Sequence, residues 1–395
     1  MRRRVRSRFG EGRLLSRKLL LVGLPFFGLV FSADSGPPIP IRLLRDADRL
    51  ALLYNWPEAR RLYLEAEDRL RHSGDHRNGL AARLGYIWAS ADSGIEPDLS
   101  REVDECIQDP AVQADPIMKL RALIARAVLH RISNETAARE EWQQILALAE
   151  GLGDRNWENR AKAELGQILY MEGDLRAATD MLRDAITSMY VRLDLGAAIY
   201  YTAMVGNGFV SAGRPETALE YCDNALRVAS LARDEGFPFL AYQGKARALI
   251  ALDRNEEAVE LLKKAIGRAR EADNNFSLAQ LLIVAGLGVA SEDPNHAIEY
   301  LEEAAELSRE KGFHHVFTWS TFELAGVYRN TGRLDEAERL ATHTNQVMRE
   351  LEDRYHLPQH PTLLADLKAR KGEFKQADQL YSEATDIIEG LLVKV

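Results

Sequence analysis

Residues Leu165–Ile186 read LGQILYMEGDLRAATDMLRDAI. Leu165, Gly166 and Leu169 share one face of a first helix, Gly173-Asp174 breaks it, and Ala178, Leu182 and Ala185 form the facing stripe of a second. Glycine and alanine stand where an amphipathic helix normally presents bulk. Two antiparallel helices joined by a short turn approach closely only where bulk is withheld, so Gly166 and Ala178 are expected at the crossing, with larger neighbours interdigitating around them.

The unit recurs. Aligning the chain on the alanine that follows each turn gives Ala59, Ala138, Ala178, Ala218, Ala258, Ala297, Ala337 and Ala377, with steps of 79, 40, 40, 40, 39, 40 and 40. The first step is two periods. Self-similarity at this spacing predicts a solenoid and replaces the count of domains that length alone would give. The turn glycine returns as Gly213, Gly332 and Gly372, and elsewhere Asp253-Arg254-Asn255 and Asp293-Pro294-Asn295 serve as breakers. The first small site is kept by Gly206, Ala246, Ala285, Ala325 and Ala365, and the last by Ala225, Ala265, Ala304 and Ala384.

The pattern resembles the tetratricopeptide repeat, whose signature of Leu-Gly, aromatic, turn glycine, Ala, large apolar and Ala is met here and again by LAGVYRNTGRLDEAERLAT. The resemblance covers residues 119–395 and implies an all-α, right-handed superhelical solenoid of helix hairpins. The period of about forty exceeds the usual 34 of the family, so longer helices are expected. Thr344 replaces the last alanine of its unit, and Arg126 the first small residue of another. Residues 46–118 read as degenerate N-terminal repeats, with only the helix around LAARLGYIW legible between Gly85 and Pro116, and residues 34–45 read as a linker. The extra length of each unit includes an aromatic after the second helix, at Trp157, Phe237, Phe276 and Phe313, expected to wedge between consecutive hairpins.

Charge is uneven. Residues 1–33 carry eight Arg and Lys against one Glu, which from −9 overall leaves −16 for the remainder. Such an acidic body is a poor match to nucleic acid. The same N-terminal segment places a thirteen-residue apolar run, Leu19–Phe31, after its basic part and before small residues and prolines. This is the layout of a signal peptide or N-terminal anchor, too short for an ordinary spanning helix. It predicts an exported protein, periplasmic or extracellular, or a membrane-anchored one, and a cytoplasmic protein if the start is misassigned. Cys106 and Cys222, the only cysteines, are too remote in an elongated fold to pair and are read as buried free thiols.

The resemblance further implies that first helices line a concave surface. That places Glu164, Gln167, Tyr170, Tyr200, Met204, Asn207, Gln243, Arg247, Trp319, Phe322, Arg329 and Asp366 toward a groove able to hold an extended peptide or a helix. Asn207 is the leading candidate, because the family often uses asparagine on that helix face to bind a peptide backbone. The Lys/Asn/Arg clamp that some members use on C-terminal carboxylates is not matched. No catalytic constellation is legible: Cys222 falls on an apolar stripe, Pro358 interrupts the pair His356 and His360, and Gly286–Gly288 lies inside a helical run with no preceding strand.

Neither a cofactor nor a metal is expected. The chain reads as a noncatalytic scaffold that binds a protein or peptide. The alternative is the sensor half of a larger bacterial signalling protein whose effector domain, a transcription regulator or a CHAT-type protease, is missing, since the forty-residue array is loosely similar to the repeats that precede caspase-like CHAT domains. The apolar last helix, ATDIIEGLLVKV, calls for a covering partner, second copy or further domain.

Overall fold

The computed structural model describes residues 38–93, 97–133, 135–232, 235–350 and 356–392; the segment read as a leader, 1–33, lies outside them. Among the described residues there are nineteen α-helices and no strand. They are α1 (Ile39–Leu52), α2 (Trp56–His72), α3 (His76–Ser90), α4 (Pro97–Gln108), α5 (Pro110–Gln113), α6 (Pro116–Ser133), α7 (Glu135–Leu152), α8 (Arg155–Met171), α9 (Leu175–Arg192), α10 (Leu195–Ser211), α11 (Pro215–Leu231), α12 (Phe239–Ala251), α13 (Asn255–Glu271), α14 (Asn275–Val289), α15 (Pro294–Lys311), α16 (His314–Asn330), α17 (Leu334–Glu350), α18 (Gln359–Arg370) and α19 (Phe374–Leu392). None of the described helices is long and apolar enough to cross a membrane.

Consecutive helices pair as antiparallel hairpins, and the array is the expected all-α solenoid. Its local chemistry follows the repeat. Gly173 adopts φ +85°, a left-handed value that lets α8 stop and α9 start within three residues. Asp174 then accepts from Ala177 N at 3.1 Å and caps α9. Asp154 and Asn274 act likewise at α8 and α14, so the polar breakers between helices also supply orphan N–H groups with acceptors. At the crossing, a Cβ built on Gly166 would fall 2.9 Å from Leu182, and Ala178 is 2% exposed. Bulk is withheld where α8 and α9 meet.

One expectation changes. The segment 34–45 is not a linker throughout, because α1 starts at Ile39; Pro40 sits in its first turn, where a missing N–H breaks no helical bond. The second hairpin is irregular, as its sequence implied: its outer helix is split into α4 and α5 at Asp109-Pro110, with Asp109 accepting from Ala111 N at 2.8 Å. The inter-hairpin aromatics do pack. Phe313 is wholly buried and meets Phe276 edge-on at 5.2 Å, Phe237 stacks on Tyr242, and Trp157 meets Trp88 of α3 edge-on.

Along the array α10, α12, α14 and α16 pack on one another as well as on their hairpin partners, which makes the first helices the inner layer. The curl is tight enough for the N-terminal hairpins to touch later hairpins of the array. A single apolar core joins residues 44–129 to residues 246–367, and α6 packs on α16. The α1–α2 turn seals the contact with backbone groups: Arg160 Nη2 donates to Leu52 O at 2.9 Å and Gly236 N to Leu53 O at 3.0 Å. Arg60 donates to Ala272 O and Asn275 to Ser93 O in the same seam. A Cβ on Gly236 would fall 2.0 Å from Tyr54 O, so only glycine permits this approach.

Candidate functional site on the inner face

In five hairpins the position one residue after the first small site points along the inside of the solenoid, whereas on α14 that position is Gly286, which packs on Leu301 of its own hairpin. On α8, α10 and α12 it holds Gln167, Asn207 and Arg247, 40 residues apart, and on α16 and α18 it holds Gly326 and Asp366. The backbone repeat thus stacks an amide, a second amide and a guanidinium into a ladder. A Cβ on Gly326 would meet nothing within 4 Å, so the wall opens there.

Arg247 is the centre of this surface. It donates from Nη1 to Asn207 Oδ1 at 3.2 Å and from Nη2 to Ser211 Oγ at 3.2 Å. Its guanidinium lies over the Trp319 ring, 5.3 Å from the centroid, so α10, α12 and α16 meet at one side chain. Trp319 Nε1 donates to Glu323 at 3.2 Å. Burial in the concavity pulls the Arg247 pKa down, opposed by Glu323 and Tyr170. Burial likewise pushes the Glu323 carboxyl up, against the Trp319 N–H and the Arg247 charge. Both ions are held where water serves them poorly.

Arg247 is also exceptional in what it lacks. Among the described residues eight arginines are buried or half-buried. Seven have a carboxylate within 4.0 Å: Arg60 with Asp273, Arg83 with Glu102, Arg121 with Asp48, Arg126 with Glu141, Arg139 with Glu172, Arg160 with Asp194 and Arg329 with Asp366. Arg247 has none, and two of its five N–H groups are engaged within the protein. Gln167 Oε1, on the far side of Asn207 in the same ladder, is buried without a hydrogen-bond donor. A cation with no carboxylate within 4.0 Å and an acceptor lacking a donor thus lie on one ladder, with Asn207 between them.

The other residues expected in the groove separate into groups. Asn207 lines the inner face but is committed: Nδ2 donates to Ala203 O at 3.1 Å and Leu240 O at 3.0 Å, which takes both of its N–H groups. Arg329 and Asp366 face inward and neutralise each other at 3.0 Å. Phe322 is half-buried, edge-on to His360 at 5.0 Å. Gln243 and Glu164 are corrected to the interior, 4% and 6% exposed, with Glu164 accepting from Tyr201 Oη at 2.8 Å. Tyr200 stacks on Tyr54 at 4.8 Å and belongs to the seam, while Met204 packs in the core beneath it. Tyr170 remains on the inner wall, half-buried.

Glu323 and Ser211 escaped the sequence reading. Each lies four residues beyond a chosen position, Trp319 or Asn207, and so on the same helical face. Outside the inner face, Cys222 is buried with its thiol pushed up to about 12 by desolvation, whereas Cys106 is half-buried rather than buried, its thiol raised to about 11. Among the described residues no three His, Cys, Asp or Glu side chains gather as metal ligands would.

Comparison with known proteins agrees with this architecture. The tetratricopeptide repeat family model matches residues 240–271, the hairpin of α12 and α13 that carries Arg247. Similar solved structures include a Rap protein complexed with Competence and Sporulation Factor, at 16% identity and TM-score 0.55, covering 90% of this chain and 99% of that one. NprR in complex with its cognate peptide NprX is similar at 13% identity and TM-score 0.59, covering 90% and 100%. The apo form of the quorum sensor NprR from B. thuringiensis gives 0.54 at 13% identity, covering 88% and 98%. Identities this low establish a shared fold. No curated protein matches the chain in sequence.

Proposed function

We propose that this chain, a solenoid of tetratricopeptide-type hairpins, is a noncatalytic scaffold that binds a peptide or an extended protein segment along its inner face, with an acidic group of the ligand on Arg247. The observation that carries the reading is the guanidinium of Arg247, with no carboxylate within 4.0 Å, on the same ladder as the orphaned Gln167 acceptor two rungs away, on a wall that also presents Tyr170, Trp319 and Phe322. A buried cation without an anion is costly to the free protein, and a ligand carboxylate would offset that cost. An extended backbone would bring N–H groups for Gln167 and side chains for the aromatic wall. The fold shared with Rap and NprR, both solved with a bound peptide or factor, supports the same use of the interior.

The test is selection of the full chain against a randomised peptide library, followed by calorimetry with the enriched peptides. Enriched peptides are expected to share an acidic residue or a free C-terminal carboxylate. Arg247→Gln should bind them about thirtyfold more weakly or worse, as expected when one member of a desolvated charge pair is removed. Gln167→Ala should weaken binding less. Equal affinity of wild type and both variants for every enriched peptide would move the site elsewhere.

A further inference from the structure

The inner face extends beyond the Arg247 ladder. Seven residues before Asn207 and Arg247, two turns earlier on the same faces of α10 and α12, stand Tyr200 and Leu240. On α14 Gly286 packs on Leu301 as Gly166 packs on Leu182, so the inward residue there is Leu287, and Gln280 is its counterpart two turns earlier. Tyr200, Leu240 and Gln280 line a cavity of about 680 Å³, counting its open mouth. That is within the size range of ligand sites, about 300–1,000 Å³.

The α1–α2 turn completes it. Leu53, Tyr54 and Trp56 supply one part of the wall, and Phe237, Phe239 and Phe276 another. All six are half-buried, so large apolar side chains surround the cavity without filling it. The walls are held by the seam bonds from Gly236 N to Leu53 O and from Asn275 to Ser93 O, and a Cβ on Gly196 would fall 2.7 Å from Leu52 O. The cavity is therefore formed before anything enters it.

Its charged lining has one sign. Asp92 and Glu235 line the cavity, and no Lys, Arg or His among the described residues does. The nearby Arg60, Arg160 and Arg268 each have a carboxylate of their own, on Asp273, Asp194 and Glu271. A carboxylate accepts several hydrogen bonds at once, so Asp92 and Glu235 can take a donor from a guest as well as from the protein. An acidic group is disfavoured there. A ring with an N–H or O–H at its edge, an indole or a phenol, suits both the apolar walls and the acceptors.

The cavity wall also lies close to Arg247. Asn207 donates to the carbonyls of Ala203 and Leu240, two residues of that wall, and accepts from Arg247 Nη1, so wall and guanidinium stand on either side of one carboxamide. The Leu240 oxygen is no more than about 9 Å from that nitrogen. Alternate side chains of an extended peptide point the same way, about 7 Å apart.

We infer that this cavity is a second subsite for the peptide whose acid Arg247 holds, and that it takes a Trp or Tyr side chain within two residues of that acid. The inference rests on the reading of Arg247 given above. Because the α1–α2 turn is part of the wall, a peptide seated in both places also bridges the seam. The Gly236 amide, bonded to Leu53, then opens less often.

The probe is a peptide library with one fixed Asp and randomised flanks, selected against the full chain. Trp and Tyr are expected to enrich within two residues of the Asp. Gln280→Trp, which fills the cavity, should bind the enriched peptides about tenfold more weakly, yet bind their ring-to-Ala versions as the wild type does. Arg247→Gln should weaken both kinds of peptide. Hydrogen exchange at the Gly236 amide of the wild type should slow with a ring-bearing peptide and not with its Ala version. Selection without enrichment of Trp or Tyr, or an unchanged Gly236 exchange rate, would overturn the subsite while leaving Arg247 in place. Full affinity of Arg247→Gln for both kinds of peptide would instead remove the acid anchor, and the inference with it.

Discussion

Arg160 on α8 reaches the backbone oxygen of Leu52 at 2.9 Å, 108 residues earlier in the chain, and with the same nitrogen meets Asp194 at 2.6 Å. Its guanidinium also lies over the rings of Tyr54 and Trp157 and is 2% exposed. One buried cation thus ties the α1–α2 turn to the start of α8 and to the cap of α10.

Removing it should open the seam. Arg160→Met leaves the Asp194 carboxylate buried and unpaired, a change that typically costs about 3–5 kcal/mol. Urea denaturation measures it. Adding Asp194→Asn should recover part of the loss, so that the double variant falls short of the sum of the two single effects. Strict additivity would mean the two side chains do not act on each other.

Tyr54 makes the seam sensitive to alkali. Burial pushes its phenol from 10.0 up to about 12, with Arg160 pulling the other way. A phenol whose pKa is raised in the folded state adds stability in full below its unfolded value, and that stability is lost as pH climbs from 10 toward 12. The loss attributable to Tyr54 is about 1 kcal/mol at pH 11. Tyr63 and Tyr201 shift in the same direction and contribute their own losses. Thermal melts across this range should therefore fall for the wild type and fall less for Tyr54→Phe, while the two agree in slope below about pH 8.5, where an unfolded phenol is almost wholly protonated.

Glu323 should behave in the opposite sense to an ordinary stabilising carboxylate. Its pKa is raised above 4.5 because burial outweighs the Trp319 N–H and the Arg247 charge, so its ionised form is a liability in the folded chain. That liability is present at neutral pH and fades as pH falls toward 4.5 and the group protonates. Glu323→Gln keeps an oxygen for the Trp319 N–H and should raise the melting temperature at pH 7 with little effect at pH 4 (about the unfolded carboxyl value). A lower melting temperature at neutral pH would show that the Glu323 charge supports Arg247 more than burial opposes it.

The hairpins could be read directly because their determinants are local. Gly166, Gly173 and Ala178 lie within thirteen residues of one another, and the period carries the same reading to Ala377. The register also put Arg247 forty residues after Asn207 at the same place in its helix. The partners of the inner residues did not, because they are set by how tightly the array curls, and curl accumulates from small rotations that no single repeat declares. Tyr200 and Asn207 occupy equivalent-looking inward faces, yet the first is covered by Tyr54 of the distant α1–α2 turn and the second is bonded to Leu240 of the next hairpin. The seam itself rests largely on backbone atoms of Leu52, Leu53, Ala272 and Ser93, which every residue type possesses and which therefore leave no mark in composition. Gly236 is the exception, and it reads as one more loop glycine until its neighbour is known.

An open array can gain or lose a unit at little cost, since each unit touches only the ones beside it. Here the turn after α1 must land on Arg160 and on Gly236 together. Deleting or duplicating one forty-residue module would rotate the far wall away from that turn and leave Leu52 and Leu53 without their donors. The seam thereby sets the number of modules between the two contacts, leaving what each module displays free of that constraint.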